Sequence, residues 1–255
     1  MFLIRQDYTS PNAVRQAELE RAASINASSG LFTGVGLVDG TKRRLTFGDL
    51  FDYAHHNYPN EVCVVANSDI SFDHTLALVI PHVRPNVLIA LSRWENTSGP
   101  VMGGHVVDEE DGKLFSQTQD VWIFRGGDLP RFRADLQLGI LACETRLAYE
   151  AAAAGVIVMN PALSIRTQHH HASNVRTYTT KDIYTGPRYL PRITTIDAPI
   201  AEGYVIDPSH RPKRRVVQLT GSAKDFSLAM VDRPRFAGSY RLSFRSPIYF
   251  RQRTA

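Results

Sequence analysis

The first 92 residues show a pattern of apolar and polar positions that predicts strands separated by helices. Two short stretches, residues 2–6 and 31–38, have the pattern of strands. Val62–Ala66 and Val87–Leu91 are continuous apolar runs, which are typical of strands buried on both faces of a parallel sheet. This alternation of strand and helix predicts an α/β fold with a doubly wound, mostly parallel sheet flanked by helices.

Helix signals fill the intervals between these strands. Residues 12–28 are rich in Ala, Glu, Arg and Gln, and we expect Ser10 to cap this helix with Pro11 at its first position. Thr46 is the predicted cap of a second helix, whose apolar residues follow the spacing i, i+3, i+4 and i+7: Phe47, Leu50, Phe51 and Ala54. Asp73 is predicted to cap a short third helix.

Further elements are predicted in the second half of the chain. Residues 121–124 and 156–159 have strand patterns, and residues 144–154 form a helix that Gly155 ends. After about residue 180 the pattern changes, because prolines recur and helix formers become scarce.

We therefore divide the chain into an α/β domain over residues 1–180 and an irregular, β-rich extension over residues 181–255. Two short stretches of the extension, 216–219 and 240–244, have strand patterns.

Composition narrows the class of protein. With 43% hydrophobic residues the chain can bury a large core, and two cysteines do not make a disulfide framework. The longest apolar run, at residues 76–80, is far shorter than the roughly 20 residues that span a bilayer. The start of the chain also lacks the pattern of a signal peptide, so we expect a cytoplasmic protein without a transmembrane segment.

The net charge is +4, with one basic cluster between prolines at Arg211, Lys213, Arg214 and Arg215. Such a run can bind nucleic acid or an anionic membrane surface, but a solvated turn is the commoner explanation. Aromatic residues that would stack on bases do not alternate with it. We therefore expect no nucleic-acid partner, and leave peripheral membrane contact and homo-oligomer formation open.

Asp69 is the first candidate for chemistry. The apolar run Val62–Ala66 leads directly into Asn67 and Asp69, and ligands of open parallel sheets bind beyond the carboxyl ends of the strands. A carboxylate there can hold Mg²⁺ or Mn²⁺, which in turn bridges a diphosphate. The alternative is that Asp69 is only a turn residue and Asp73 only a helix cap.

Three consecutive histidines follow the strand predicted at 156–159 and form the second candidate. In an extended segment His169 and His171 point to the same face, where they can bind a metal or a phosphate. Arg176 can neutralise the charge of a departing diphosphate. The alternative is a polar loop with incidental histidines.

The third candidate is Glu144, at the predicted start of a helix. The helix dipole alone explains a carboxylate there, and a general base for an acceptor hydroxyl is the other explanation. Asp120 opens a predicted strand next to Trp122, and Trp94 follows another strand. Trp faces can stack on sugar rings, although core packing is commoner.

Together these stretches resemble a group of bacterial GT-A-like glycosyltransferases. Residues 64–70 with Phe72 and Asp73 are similar to the variant D-x-D region of that group. Counterparts also exist for residues 90–94, for residues 119–124 and for the H-x-H-x-S-x-x-R-x-Tyr pattern at 169–178. The resemblance covers about residues 3–178.

The resemblance implies a nucleotide-sugar site in which Asp69, with His169 or His171, contacts a divalent metal or the diphosphate. It implies that Glu144 is the catalytic base of an inverting reaction. Two positions depart from the group: Asn67 stands where the D-x-D begins, and Glu144-Thr145 stands where the group carries Asp-Asn.

Arg suits bidentate contact with phosphate, so we assign Arg5 and Arg15 to the donor site together with Asn67. Trp94, Asp120 and Trp122 are assigned to the acceptor, and the extension after residue 180 to acceptor binding or oligomerisation.

The expected function is transfer of a sugar from a nucleoside-diphosphate sugar to a glycan or lipid-linked saccharide in polysaccharide biosynthesis, with Mn²⁺ or Mg²⁺ as cofactor. A metal-dependent hydrolase or nucleotidyltransferase that uses Asp69, Asp73 and the histidines is one alternative. A non-catalytic nucleotide-binding module is the other.

Overall fold

A computed structural model describes residues 1–96, 100–108, 112–173, 175, 178–179, 181–197, 201–206, 214–218 and 229–231. Its helices are α1 (Ala13–Ser28), α2 (Phe47–Asn57), a 3-10 helix (His74–His82) and α3 (Cys143–Ala153). The strands of the first half are β1 (Phe2–Asp7), β2 (Gly34–Asp39), β3 (Val62–Ala66), β4 (Ile70–Phe72), β5 (Val87–Leu91), β6 (Trp94–Asn96), β7 (Pro100–Met102), β8 (His105–Val107) and β9 (Leu114–Ser116). The later strands are β10 (Val121–Arg125), β11 (Ile157–Met159), β12 (Thr167–His169), β13 (Arg188–Pro191), β14 (Ala201–Ile206), β15 (Arg214–Gln218) and β16 (Ala229–Val231).

The centre of the fold is a six-stranded sheet in the order β11-β5-β10-β3-β1-β2. Its strands are parallel except β10, which runs antiparallel to both neighbours. Alternate residues of each strand face opposite sides of the sheet, so two cores form. One core lies against α2 and α3 and the other against the 3-10 helix. The predicted α/β class, with a mostly parallel sheet flanked by helices, is confirmed.

The predicted start of α2 is confirmed in detail. Thr46 Oγ1 accepts a hydrogen bond from the amide of Asp49, and Asp49 Oδ2 accepts one from the amide of Thr46, which completes a capping box. The predicted cap of α1 is wrong by two residues. Asn12, not Ser10, accepts the bond from the amide of Arg15, because the buried Ser10 hydroxyl instead accepts a bond from the Asn12 amide.

The reversed direction of β10 places its first residue at the carboxyl edge of the sheet. Val121 pairs with Ala66, the last residue of β3, and with Leu91, the last residue of β5. Asp120 therefore lies beside the segments that follow two parallel strands, at the edge where ligands of such sheets bind.

A second, smaller sheet lies next to this edge, in the order β4-β12-β6-β7. Its β4 directly follows the loop that carries Asp69. Strand β12 lies between β4 and β6, so that His169 pairs with Ile70 on one side and with Glu95 on the other. The register of three short strands thus brings His169 close to the carboxyl edge of the main sheet.

Helix α1 is fixed to the small sheet by one buried asparagine. Asn26 Nδ2 donates to the carbonyl of Ile70 at 2.8 Å, and Asn26 Oδ1 accepts from the amide of Phe72 at 3.1 Å. Both bonds are buried. The asparagine satisfies two backbone groups of β4 that have no strand partner on that side, and it sets the distance between α1 and β4.

The β-rich character predicted after residue 180 is confirmed for the described residues, where β13, β14, β15 and β16 form an antiparallel sheet. Tyr189 of β13 is completely buried in the core that contains α3. The strand predicted at 216–219 corresponds to β15, whereas 240–244 lies outside the described residues. Arg211 and Lys213 of the basic cluster also lie outside them.

The helices in the described part of the chain are all too short or too polar to cross a bilayer.

We predict that Asn26→Ala destabilises the protein by about 1–3 kcal/mol, because it leaves two buried backbone groups of β4 without partners. Urea denaturation measures the change. Asn57→Ala is the matched control, because Asn57 is exposed and its amide bonds only its own helix. Equal and small losses in the two variants would contradict the anchoring role of Asn26.

Candidate functional site

A cleft of about 470 Å³ opens at the carboxyl edge of the main sheet. Gln6 of β1 and Ala66 of β3 mark its floor, and the loop after β2 forms one wall. Seven of the residues predicted from the sequence line this cleft: Arg15, Asn67, Asp69, Asp120, Glu144, His169 and His171. Its volume lies within the range of small-molecule binding sites.

Asp69 is a buried carboxylate whose negative charge is balanced by two basic side chains of the cleft. It is 6% exposed, and its Oδ2 accepts a hydrogen bond from Arg15 Nη2 at 2.5 Å. His169 Nε2 lies 3.2 Å from the same oxygen. Burial alone would raise the pKa of Asp69, but the bonds and charges of His169 and Arg15 outweigh it and hold the pKa below its ordinary value.

His169 lies between two carboxylates. Its Nε2 faces Asp69, and its Nδ1 is 2.8 Å from Glu95 Oε2. Burial would lower the pKa of His169, but the hydrogen bonds to Asp69 and Glu95 overcome this and raise the pKa to about 9. At neutral pH the ring is therefore an imidazolium that donates from both nitrogens.

His171 presents an unprotonated nitrogen to the same carboxylate. Its Nε2 bonds the carbonyl of Val175 at 2.9 Å, and only a protonated nitrogen can donate to a carbonyl. Burial, followed by the charge of Arg15, lowers the pKa of His171, so the ring is neutral and its Nδ1 carries a lone pair. This Nδ1 lies 3.8 Å from Asp69 Oδ2, which leaves two acceptors facing each other.

Asp69, His169 and His171 fit a divalent cation. One ligand atom from each lies within 4.8 Å of the others. Ligands at about 2.1 Å from a common ion are at most about 4.2 Å apart. Asp69 Oδ2 lies 3.2 Å from His169 Nε2 and 3.8 Å from His171 Nδ1, and both distances are inside that limit. A metal would replace the proton on His169 Nε2 and fill the space between the two acceptors.

Asp120 connects the segments that follow two parallel strands, β3 and β5. Its Oδ1 accepts from Asn67 Nδ2 at 2.6 Å, and its Oδ2 lies 3.4 Å from Arg93 Nη1. The amide of Asp120 also donates to the carbonyl of Leu91. Both carboxylate oxygens of Asp120 are thus engaged, and the side chain is 4% exposed.

Glu144 lies in the first turn of α3, as predicted. Burial and the negative charge of Asp120 raise the pKa of Glu144 to about 7, which makes it able to exchange a proton near neutral pH. The helix begins after Ala142, whose φ of 67° is in the left-handed region. This conformation costs an alanine roughly 1 kcal/mol, and such strain is often found next to functional groups.

A basic wall lines the mouth of the cleft at Lys42, Arg43 and Arg44. Arg43 makes two bonds to the carboxylate of Asp49 at 2.6 and 2.8 Å, and Arg44 donates to the carbonyl of Leu138. Both arginines thus bond neighbouring segments, whereas Lys42 is exposed on the wall. Positive charge at the mouth of a cleft favours the approach of anionic ligands.

Two predicted acceptor residues are not among the described residues that line the cleft. Trp122 is 1% exposed and packs edge-on against Phe47, so the sugar-stacking role predicted for it is wrong: no face of the ring is open to a ligand. Trp94 is 9% exposed, donates from Nε1 to the carbonyl of Ala162 and lies under the guanidinium of Arg166. Both rings serve packing.

Three more predicted residues have other positions. Arg5 is half-buried on β1 and is not among the described residues that line the cleft. Arg176 lies outside the described residues. Asp73 caps the 3-10 helix through a bond from the Thr75 amide, as predicted, and is not among the cleft residues described.

Arg93 and Glu95 are site residues that the sequence reasoning missed. Arg93 Nε bonds Glu95 Oε1 at 2.6 Å, and the pair connects His169 to Asp120. Arg93 follows β5 just as Asn67 follows β3, so the carboxyl-edge rule that found Asn67 also applies to Arg93. Glu95 had no such signal, because its role depends on the pairing of β6 with β12.

Comparison with profiles of known protein families and with curated protein sequences finds no match to this chain.

We predict that the stability contributed by His169 depends on pH. A histidine titrates near 6.5 in an unfolded chain, whereas the pKa of His169 is about 9 in the folded protein. The contribution of its imidazolium is therefore complete below pH 6.5 and is lost as the pH rises through 9. In chelator-containing buffer, the difference in free energy of unfolding between wild type and His169→Gln should shrink between about pH 6 and pH 9.

His170→Gln is the control for this measurement. Burial lowers the pKa of His170, so its contribution changes only below pH 6.5 and the variant should keep the wild-type slope above it. A constant difference between wild type and His169→Gln over the whole range would contradict the ion pairs assigned to His169.

Proposed function

We propose that the chain is a glycosyltransferase that takes a sugar from a nucleoside-diphosphate sugar and passes it to a saccharide or lipid-linked glycan. The observation that carries this proposal is the meeting, in one cleft, of a cation-binding set and a carboxylate with a pKa near neutrality. The resemblance of residues 3–178 to GT-A-like transferases points in the same direction. Each half of the cleft supports one part of the reaction.

The half that contains Asp69 suits the donor. Asp69, His169 and His171 are the residues that would hold Mn²⁺ or Mg²⁺. Such an ion, when bound, offsets negative charge on a diphosphate. Arg15 donates to Asp69 and to the carbonyl of His170, so it keeps the carboxylate and the histidine segment in place. The exposed Lys42 in the basic wall adds positive charge beside the path of an entering diphosphate.

The half that contains Glu144 suits the acceptor. In an inverting reaction the acceptor hydroxyl attacks the anomeric carbon, its proton passes to the Glu144 carboxylate, and the bond from the anomeric carbon to the diphosphate oxygen breaks. A carboxylate with a pKa near 7 is a base of suitable strength at neutral pH. Asp120 cannot easily take this role, because Asn67 and Arg93 engage its two oxygens.

We predict that Asp69→Asn abolishes donor turnover. The amide keeps the shape of the side chain but removes the charge that would hold the ion. Release of nucleoside diphosphate from a panel of UDP-, GDP- and dTDP-sugars, with Mn²⁺ and mixed glycan acceptors, measures turnover. Asp73→Asn is the control: it lies four residues away but only caps the 3-10 helix, so its turnover should match the wild type.

Other outcomes would identify the alternatives. Full turnover in Asp69→Asn would remove the ion from the mechanism. Loss of turnover in Asp73→Asn, or release of sugar at full rate without an acceptor, would favour a metal-dependent hydrolase. Binding of a nucleoside diphosphate without any turnover would favour a non-catalytic module.

We predict that Glu144→Gln lowers kcat by roughly 10²- to 10⁴-fold and leaves the KM for the donor nearly unchanged, because a general base acts only in the chemical step. The wild-type kcat should rise with pH through about 7, as Glu144 loses its proton. The residual activity of Glu144→Gln should lack this rise. Equal losses in donor binding and in kcat would instead assign Glu144 a structural role.

A further inference from the structure

Glu95 hydrogen-bonds His169, one of the three candidate cation ligands, but is not itself one of these ligands. Its Oε2 is 2.8 Å from His169 Nδ1, the nitrogen that points away from Asp69. The group that hydrogen-bonds one ring nitrogen of a histidine fixes which nitrogen is free for a ligand and how the ring is turned. We propose that Glu95 is the positioning residue that keeps His169 Nε2 directed at Asp69. This inference rests on the cation site of the proposed function.

The backbone determines the contact between Glu95 and His169. Strands β6 and β12 are parallel neighbours, and His169 pairs directly with Glu95 in their register. The same residue pairs with Ile70 of β4 on its other side, one position after Asp69. The carboxylate, the ring and Asp69 therefore come from three adjacent strands or strand ends, and the ring has a carboxylate on each side.

The Glu95 carboxylate is itself held in place. Its Oε1 accepts from Arg93 Nε at 2.6 Å, so the two oxygens have separate partners. Gly103 closes the space next to this pair: a Cβ added there would lie 2.5 Å from Glu95 Oε1 and 3.0 Å from Arg93 Nε. The amide of Gly103 also donates to the carbonyl of Arg93. A side chain that served only as a solvated surface charge would not be confined in this way.

Arg93 extends the same chain of contacts to the other half of the cleft. It lies between Glu95 and Asp120, and Asp120 in turn accepts from Asn67. A change at Glu95 therefore acts on His169 directly and on the Asp120 side through Arg93. This arrangement predicts a larger effect on cation binding than on the position of Asp120.

Titration calorimetry with Mn²⁺ as the only ligand tests the inference on the full chain. Glu95→Ala should weaken Mn²⁺ binding by roughly 10- to 100-fold, the usual effect of removing the carboxylate behind a metal-binding histidine. Glu95→Gln should lose less, because the amide oxygen still accepts from His169 Nδ1. Glu150→Gln is the matched control, since Glu150 also pairs with an arginine, Arg146, but lies outside the described cleft.

A second measurement does not depend on metal. In long-range ¹H–¹⁵N spectra of the metal-free protein, with His169 assigned from the spectrum of His169→Gln, the Nδ1 signal should be that of a protonated, hydrogen-bonded nitrogen in wild type. It should change in Glu95→Ala and not in Glu150→Gln.

The outcomes separate this inference from the proposed function. Wild-type Mn²⁺ affinity in Glu95→Ala, or an unchanged His169 signal, would overturn the role of Glu95 and leave the cation site standing. Equal loss of Mn²⁺ binding in Glu150→Gln would also overturn it, because the effect would then be general. If wild type binds no Mn²⁺ but the His169 signal changes as expected, the cation site fails and the positioning of the ring by Glu95 is supported.

Discussion

The negative charge of Asp69 is the constraint on which the rest of the cleft depends. A carboxylate that is 6% exposed loses most of its hydration, at a cost of several kcal/mol unless opposite charge compensates it. Arg15 supplies that charge from α1 and His169 supplies it from β12. The positions of α1 and β12 relative to the end of β3 must therefore be fixed. The buried Asn26 fixes α1 through its two hydrogen bonds to the backbone of β4.

Charges alternate from this point across the cleft, and the alternation relates its two halves. Positive and negative groups follow one another in the order Arg15, Asp69, His169, Glu95, Arg93 and Asp120. Asp120 ends the series. Burial raises the pKa of Glu144, and the negative charge of Asp120 raises it further. Asp69 and Glu144 thus lie in one cleft but in different environments, which lower the pKa of Asp69 and raise that of Glu144. Proteins commonly obtain a charged group and a proton acceptor from two carboxylates in this way.

The sequence predicted those parts of the site that depend on one strand and the residues after it. The apolar run Val62–Ala66 located Asn67 and Asp69, and helix signals located Glu144 in the first turn of α3. Contacts between distant segments were not predictable in this way. No local pattern indicates that β10 runs antiparallel, which is why Asp120 meets Asn67, or that β12 lies between β4 and β6. Trp122 was misassigned because an apolar strand buries its aromatic residues whatever their capacity to stack on sugars.

Binding of a nucleoside diphosphate together with a divalent ion is the property that most directly tests this description of the cleft. A ligand that binds only the folded protein raises its melting temperature by mass action. The measurement is a thermal-shift comparison of UDP, GDP, dTDP and CMP, each with and without Mn²⁺. A rise in Tm with one nucleoside diphosphate that requires Mn²⁺ is the expected result. No rise with any nucleotide would contradict a nucleotide-sugar site, and an equal rise without Mn²⁺ would contradict the role of Asp69, His169 and His171 as its cation site.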